Sequence, residues 1–441
     1  MKILLVPGNT DLNRGDQALV WESINVIKEV YENPDVILMK GDDYRQYAQT
    51  ERLGYNMIHG ILKHPGRFFS NKKHISYTIL DKVKMGCVAL YDLMVTASLL
   101  IPCRIINNAT LGLMSNEDKR TYETFRSCDA VFVKGGGFIH SYGMITDAYQ
   151  IYYLLYYILL SIRFKKKIVI LPNSIGPLRN KIAAKLSYYV LNHCQYISVR
   201  ESVSENFLNK SEQIRKPVYR HADLGYFLKS SKFDALKYLK NKGIEIDKPK
   251  VVITLRPYRF PGEENAEQLY KKYIVSFAEY SEYLYEKGYQ IVFSAHTLGP
   301  SVHENDSIAI DEVVKILGKT KVPFVVIDDE SLDCKDVMAL YSQFDILVGT
   351  RFHSVIFAQN SFVPTIAITY GGNKGVGIMQ DTGLEEYSIP MENVTSAALM
   401  RITDTLITNK KYVAGLMKNK RCELENDRQK LIDEIKMAVL N

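Results

Sequence analysis

The densest group of chemically capable residues is Val348-Gly349-Thr350-Arg351-Phe352-His353-Ser354, which follows an apolar run at 346–348 and opens a helix-period run at 353–360. Arg351 and His353 thus occupy a strand-to-helix turn, where the helix dipole and free amides attract anions. An imidazole titrates nearest neutrality and exchanges protons there; a histidine satisfied inside the structure is the competing reading. After the next strand, Tyr370-Gly371-Gly372-Asn373-Lys374-Gly375 places Lys374 in a glycine turn, as a cation for a phosphate. Arg200, in Ser198-Val199-Arg200-Glu201, and Arg256, in Thr254-Leu255-Arg256-Pro257, also stand just past apolar runs, with Arg259 near the second. Guanidinium groups grip phosphate and carboxylate bidentately. For each of them a structural salt bridge is an equal alternative, Arg200 pairing with Glu201 or Glu205.

Three further turns carry small or polar residues at strand ends. Gly8-Asn9-Thr10-Asp11-Leu12-Asn13-Arg14-Gly15-Asp16 follows the first apolar run, with Asp16 at a helix start. A dinucleotide fingerprint needs GxGxxG at this place, and it is missing. Asp16 reads either as a ligand contact at the sheet mouth or as a helix-start residue near the dipole. Gly135-Gly136-Gly137-Phe138 reads as a turn with amides open to oxygen atoms, and Asn173-Ser174-Ile175-Gly176-Pro177 as a third turn at the same sheet edge. The six cysteines lie far apart, with no CxxC pair and no zinc spacing, so reduced thiols are expected. No carboxylate cluster or histidine pair calls for a metal.

The elements that must position these residues are legible as short apolar runs alternating with helix-period runs, the pattern of βα units on a parallel sheet. Strands are expected at 2–6, 36–39, 130–133, 168–171 and 196–199, then at 251–255, 290–294, 324–327, 346–348 and 365–368. The second series has helices at 267–287, 308–317, 335–341 and 353–360. Residues 1–228 make one Rossmann-like domain, a lysine-rich passage at 229–250 a linker, 251–410 a second such domain, and 411–441 a charged surface helix. Two Rossmann-like domains facing a cleft are the GT-B arrangement. Residues 42–116 fit this frame least well, and the stretch from His59 to His74 reads as irregular or mobile.

The chain has 441 residues, 46% of them hydrophobic and 24% charged, which excludes disorder, collagen and a disulfide miniprotein. Its formal charge of +7 is spread along the sequence, which speaks against a nucleic-acid arm and for acidic small substrates or an anionic surface. The opening Met1 to Pro7 reads as a strand and not as a signal peptide, so a cytoplasmic protein is expected. Two apolar runs, 93–103 and 148–162, fall short of the roughly 20 residues that span a bilayer. The second carries Tyr149, Tyr152, Tyr153, Tyr156 and Tyr157 at helical spacing and ends in Arg163, Lys165, Lys166 and Lys167. It reads as a core helix or as an interfacial helix touching anionic headgroups on the inner face of the membrane.

As an ordered set, Asn13/Gly15/Asp16/Ala18, GGGF from Gly135, SIGP from Ser174, SVRE from Ser198 and GTRFHS from Gly349 resemble the polysaccharide pyruvyl transferases over residues 1 to about 405. The resemblance implies a GT-B-like fold, phosphoenolpyruvate as donor, no cofactor, and a pyruvate ketal formed on a surface glycan or its lipid-linked precursor. On this reading His353 and Arg351 are catalytic, and Arg200, Arg256, Arg351 and Lys374 hold phosphoenolpyruvate. Asn13, Asp16, Gly136 and Gly137 hold the acceptor on the N-terminal domain. The alternatives are a nucleotide-sugar glycosyltransferase of the same fold, separable by whether phosphate or a nucleotide is released, and a non-catalytic glycan-assembly partner, separable by an assay with phosphoenolpyruvate.

Overall fold

A computed structural model describes residues 1–8, 10–62, 78–144, 146–301, 304–371 and 374–440, the side chain of Lys374 excepted. The chain divides into two compact units: Met1–Asp11, Leu19–His221 and Gln429–Asn441 form the first, Leu12–Ala18 and Ala222–Arg428 the second.

The first unit is built on eight strands, β1 (Lys2–Val6), β2 (Asp35–Lys40), β3 (Asn56–His59), β4 (Ala130–Val133), β5 (Gly136–Ser141), β6 (Lys167–Leu178), β7 (Tyr196–Val199) and β8 (Tyr219–Arg220). They run in the order β3-β2-β1-β4-β6-β7-β8, with β5 on β6. Ile3 pairs in parallel with Val36 on one side and Ala130 on the other. Strands apolar at consecutive positions are buried on both faces, which a parallel sheet flanked by helices requires; β4 and β7 are buried along their whole length.

The second unit holds β9 (Lys250–Thr254), β10 (Gln290–Ser294), β11 (Phe324–Ile327), β12 (Ile346–Gly349), β13 (Thr365–Thr369) and β14 (Ser388–Pro390), in the order β11-β10-β9-β12-β13-β14 with every pairing parallel. In both sheets the chain adds its second and third strands on one side of the first, then crosses to the other side. The carboxyl ends of β1 and β4, and of β9 and β12, are therefore switch points of the kind where open α/β sheets bind ligands.

Several expectations about organisation change. Residues 229–250 are no free linker: the helix Ala235–Asn241 lies within them, Leu239 is fully buried, and the Ser231 hydroxyl donates to Asp336 Oδ1 at 2.6 Å. The C-terminal helix Lys410–Leu440 is shared, with Val413 and Met417 buried in the second unit and Leu431, Ile432, Ile435 and Val439 in the first. Much of the stretch from His59 to His74 lies outside the described residues; the chain before it forms β3, and the helices Ile79–Leu100 and Arg104–Gly112 follow.

The tyrosine-striped run is the helix Asp147–Arg163, and it is a core helix. Tyr156 and Leu155 are fully buried, Tyr157 nearly so and stacked on Phe125 at 5.4 Å. The polar ends of its neighbours are spoken for as well, Tyr149 donating to Asp92 and Tyr152 sharing a hydrogen bond with Thr96. Lys166 and Lys167 donate to the carbonyls of Arg126 and Val439. The interfacial reading of this helix is overturned. Leu155→Ala is expected to cost the first unit about 2–5 kcal/mol, read as a lower urea midpoint, while Lys165→Gln stays within about 0.5 kcal/mol. An unchanged midpoint for Leu155→Ala would return the helix to the surface.

Candidate active site

The GTRFHS turn is fixed by its own hydroxyls. At the end of β12 the Thr350 amide and hydroxyl both donate to the Thr254 carbonyl at 3.0 Å, tying β12 to the end of β9. Ser354 closes the first turn of the helix Phe352–Asn360, its amide and hydroxyl reaching the Arg351 carbonyl at 2.8 and 2.6 Å and its Oγ lying 2.7 Å from Thr254 Oγ1. So Thr350 and Ser354 are scaffolding, and Arg351 and His353 are what the scaffold presents.

His353 lies between a carboxylate and a bare stretch of backbone. Its Nε2 is 3.6 Å from Asp223 Oδ2, and Asp223 is itself steadied by the Gly225 amide donating to Oδ1 at 2.8 Å. On the other side, a Cβ placed on Gly15 would fall 2.0 Å from His353 Nδ1 and 2.6 Å from His353 Cβ. Only a glycine admits the imidazole there, and rotating the ring does not relieve the contact with Cβ.

Gly15 is brought to His353 because the segment Leu12–Ala18 is laced into the second unit. Asn13 bridges to Thr297, the Leu298 amide donates to the Leu12 carbonyl at 2.7 Å, and the Arg14 amide donates to the His296 carbonyl at 3.2 Å. Arg14 is buried, with Nη2 on the Glu330 carbonyl at 3.1 Å, and Gln17 accepts from the Cys334 amide at 2.7 Å. Asn13 spends its side chain on the helix start: Oδ1 accepts from the amides of Gly15 and Asp16, and Nδ2 donates to Asp16 Oδ2 at 2.9 Å.

Arg351 is held by acids the sequence did not single out. Its Nε donates to Asp306 Oδ1 at 2.7 Å and its Nη2 to the Glu304 carbonyl at 2.7 Å. Asp306 is fully buried and also accepts the amides of His296 and Thr297 at 3.1 and 2.8 Å. Burial pushes the Asp306 carboxyl up to about 6 against the pull of Arg351, so the pair is ionised at neutral pH and loses its negative member in mild acid. Burial also raises the Glu304 carboxyl, with Asp16 adding to the rise and Arg351 opposing it. Burial alone would lower the Arg351 guanidinium, but Asp306 keeps it above its ordinary value.

Arg256 differs from Arg351. Past the end of β9 its guanidinium lies over Tyr370, 4.3 Å from the ring centroid, and over Tyr258 at 5.4 Å. Its Nε is buried with no partner among the described residues, and none of their carboxylates forms an ion pair with it. It is the cation of this group best placed to take an outside anion. Lys374 begins the helix Lys374–Asp381, so the expected glycine turn is already a helix start there.

The remaining expected residues gather in the first unit. GGGF is not an open turn: Gly136 starts β5 and pairs with Asn173 of β6. SIGP is likewise strand, because β6 runs on to Leu178 once β5 supplies a partner beyond the end of β4. Arg200 is buried, Nε donating to Ser174 Oγ at 2.8 Å and standing 4.0 Å from Glu201 Oε2. Gly137 is exposed, and a Cβ on it would meet Arg200 Nη2 at 2.7 Å. The structure therefore groups Asn13, Asp16, Arg256, Arg351 and His353 in the second unit, and Gly136, Gly137 and Arg200 in the first. This corrects the expectation that Asn13 and Asp16 belong to the N-terminal domain and that Arg200 joins the other arginines. Asp223, Glu304 and Asp306 were missed; Asp223-Leu224-Gly225 is an Asx-type turn pattern that marks one of them, while the other two lie in a loop with no such signal.

Residues 13–372 match the family model of the polysaccharide pyruvyl transferases. The amylovoran biosynthesis protein AmsJ of Erwinia amylovora is 23% identical over 419 residues, covering 93% of this chain and 92% of that protein. Among solved structures, HepE of Anabaena, determined with UDP and glucose, superposes with a TM-score of 0.55 at 11% identity over 99% of each chain. The UDP-GlcNAc 2-epimerase of Neisseria meningitidis gives 0.56 at 13% identity, also over 99% of each. A glycosyltransferase of Rickettsia africae gives 0.56 at 13%, over 100% of this chain and 98% of that one. At these identities the likeness is one of fold, a GT-B-like α/β protein with two parallel sheets.

Gly15→Ala is expected to move the His353 imidazole and to cost about 1–3 kcal/mol by overpacking. Gly8→Ala, whose Cβ would find its nearest neighbour at an ordinary 3.9 Å, serves as control. Histidine side-chain NMR signals read the displacement; an unmoved His353 in Gly15→Ala would show that the glycine is not needed.

Proposed function

The chain belongs to the polysaccharide pyruvyl transferase family and is a transferase, and from that premise we propose that it takes phosphoenolpyruvate as donor. It builds a pyruvate ketal on a sugar of a surface polysaccharide or of its lipid-linked precursor, working at the inner face of the membrane. What supports this reading most directly is Arg256, a half-buried cation past the end of β9 with aromatic faces and no described carboxylate partner, in the same unit as Arg351 and His353.

The reaction needs a proton delivered to the methylene carbon of the donor, attack by one sugar hydroxyl on the neighbouring carbon, departure of phosphate, and closure by a second hydroxyl. One hydroxyl proton is accounted for in the new methyl group and the other leaves with phosphate. His353 exchanges the proton, and Asp223 orients its ring and stabilises the imidazolium form. Arg256 grips the donor anion, with Arg351 and Lys374 adding charge. Asp16 is assigned to the acceptor hydroxyls.

His353→Ala is expected to slow phosphate release from phosphoenolpyruvate in the presence of glycan acceptor by about 100-fold or more. Asp223→Asn should slow it less while moving the pH profile of kcat. Near-normal turnover of His353→Ala removes the histidine from the chemistry; nucleotide release from a nucleotide sugar, with no phosphate from phosphoenolpyruvate, overturns the function.

The Arg351–Asp306 pair gives the anion site a pH dependence whose sign follows from the raised carboxyl. Below about pH 6 Asp306 is neutral, so the Arg351 charge is no longer cancelled and anions bind more tightly. Sulfate, whose own charge is constant over this range, should bind roughly tenfold better at pH 5 than at pH 7.5, the change that a one-unit coupling produces. Asp306→Asn should bind close to the low-pH level and depend on pH less steeply than the parent protein. Calorimetric titration checks this, and a flat profile for the parent protein would place the anion away from Arg351.

A further inference from the structure

The helix Ile79–Leu100 is out of character with the rest of the first unit. Its most apolar 18-residue window has a mean hydropathy of 1.5, yet only 17% of that window is buried. One edge is tied down: Asp92 accepts from Tyr149 at 3.0 Å, Thr96 shares a 2.8 Å hydrogen bond with Tyr152, and Leu99 is fully buried. Those partners sit on the core helix Asp147–Arg163. The other side leaves Ile79, Leu80, Val83, Leu90, Tyr91 and Met94 exposed, Ile79 to 82%.

The next helix, Arg104–Gly112, is joined to the first by polar contacts: Asn107 Nδ2 donates to the carbonyls of Ser98 and Ile101 at 3.0 and 3.1 Å, and Ser98 Oγ lies 2.7 Å from Thr110 Oγ1. It adds exposed Ile105, and Leu113 follows, exposed to 86%. So many large apolar side chains on one pair of helices mark an interaction surface.

Charge identifies what covers it. Both acids of residues 79–113 are turned inward, Asp81 closing the capping box with Thr78 and Asp92 bonding Tyr149. The exposed charges of that stretch are Lys82, Lys84 and Arg104, all positive. Apolar side chains with an all-cationic fringe match the boundary of an anionic bilayer, where the former enter the acyl region and the latter meet headgroup phosphates. A second copy of this chain would bring no exposed acid of this stretch to meet these cations, so charge does not favour self-association.

We propose that the helices Ile79–Leu100 and Arg104–Gly112 form the surface by which this protein docks on an anionic lipid bilayer. The longer helix lies in the interface rather than across it, because Asp92 and Thr96 keep it bonded to the fold. The inference stands independently of the donor and acceptor chemistry, since docking is measured without substrate.

The full chain is tested by co-sedimentation with vesicles of phosphatidylcholine, with and without 30% phosphatidylglycerol, at low and high salt. Binding is expected to anionic vesicles, weakened by salt. Leu90→Ser with Met94→Ser and Ile105→Ser should reduce it at least tenfold. Lys82→Gln with Lys84→Gln and Arg104→Gln should reduce it up to about a hundredfold at low salt, each cation contributing roughly a factor of five. Lys165→Gln with Lys166→Gln should leave it unchanged. These positions are exposed, so circular dichroism should report intact folds. As a second readout, an environment-sensitive dye on exposed Cys87, with Cys103 and Cys422 changed to Ser, should shift to the blue on anionic vesicles. The proposal is overturned if the parent ignores anionic vesicles at low salt, if the apolar variant binds as well as the parent, or if that variant instead converts a dimer to a monomer.

Discussion

A carboxylate removed from water must receive its hydrogen bonds from protein, and the second unit's candidate site is organised by how Asp306 receives them. Two donors come from the backbone after β10, at His296 and Thr297, and one from the side chain of Arg351 after β12. The same short stretch, His296 to Leu298, carries the bridges to Leu12, Asn13 and Arg14. One buried acid thus joins the loop after β10, the arginine turn and the N-terminal motif. Removing one member of a buried pair costs about 3–5 kcal/mol because the other is stranded, which is why these loops hold one arrangement. The arrangement leaves Arg351 largely neutralised, whereas Arg256 feels Asp306 without a close ion pair and lies against aromatic neighbours that offer it a surface without cancelling its charge.

Strand positions and the two Rossmann-like series were legible because they rest on local periodicity, while the GTRFHS turn drew attention as a dense cluster of reactive residue types. β1, β4, β7, β10 and β11 stand where the apolar runs placed them. What was not legible depends on partners distant in sequence. GGGF has the composition of a turn, and only its pairing with β6 makes it a strand. The tyrosine stripe carries an amphipathic signature, but an amphipathic face does not say whether lipid or a protein core lies against it, and here Phe125 and the sheet do. Asp306 and Glu304 carry no motif, since their significance arises only when β10's loop meets β12's. Asn13 and Asp16 were assigned by their position in the chain, whereas their contacts put them with the second unit.

The pairing of His353 with Gly15 has a bearing on how such enzymes can be recombined. Neither compact unit is a continuous piece of sequence: the chain passes between them after Asp11, Ala18, His221 and Arg428. A chimera of two relatives joined once, anywhere between residues 19 and 352, takes its histidine from one parent and the glycine beneath it from the other. Joined before residue 296, it also splits Leu12 and Asn13 from the strand-end loop that grips them. Exchange of the second unit between relatives therefore requires a two-part graft that carries residues 12–18 along with the larger segment, and gene fragments that respect only the visible midpoint of the chain separate parts that fit together in one shape.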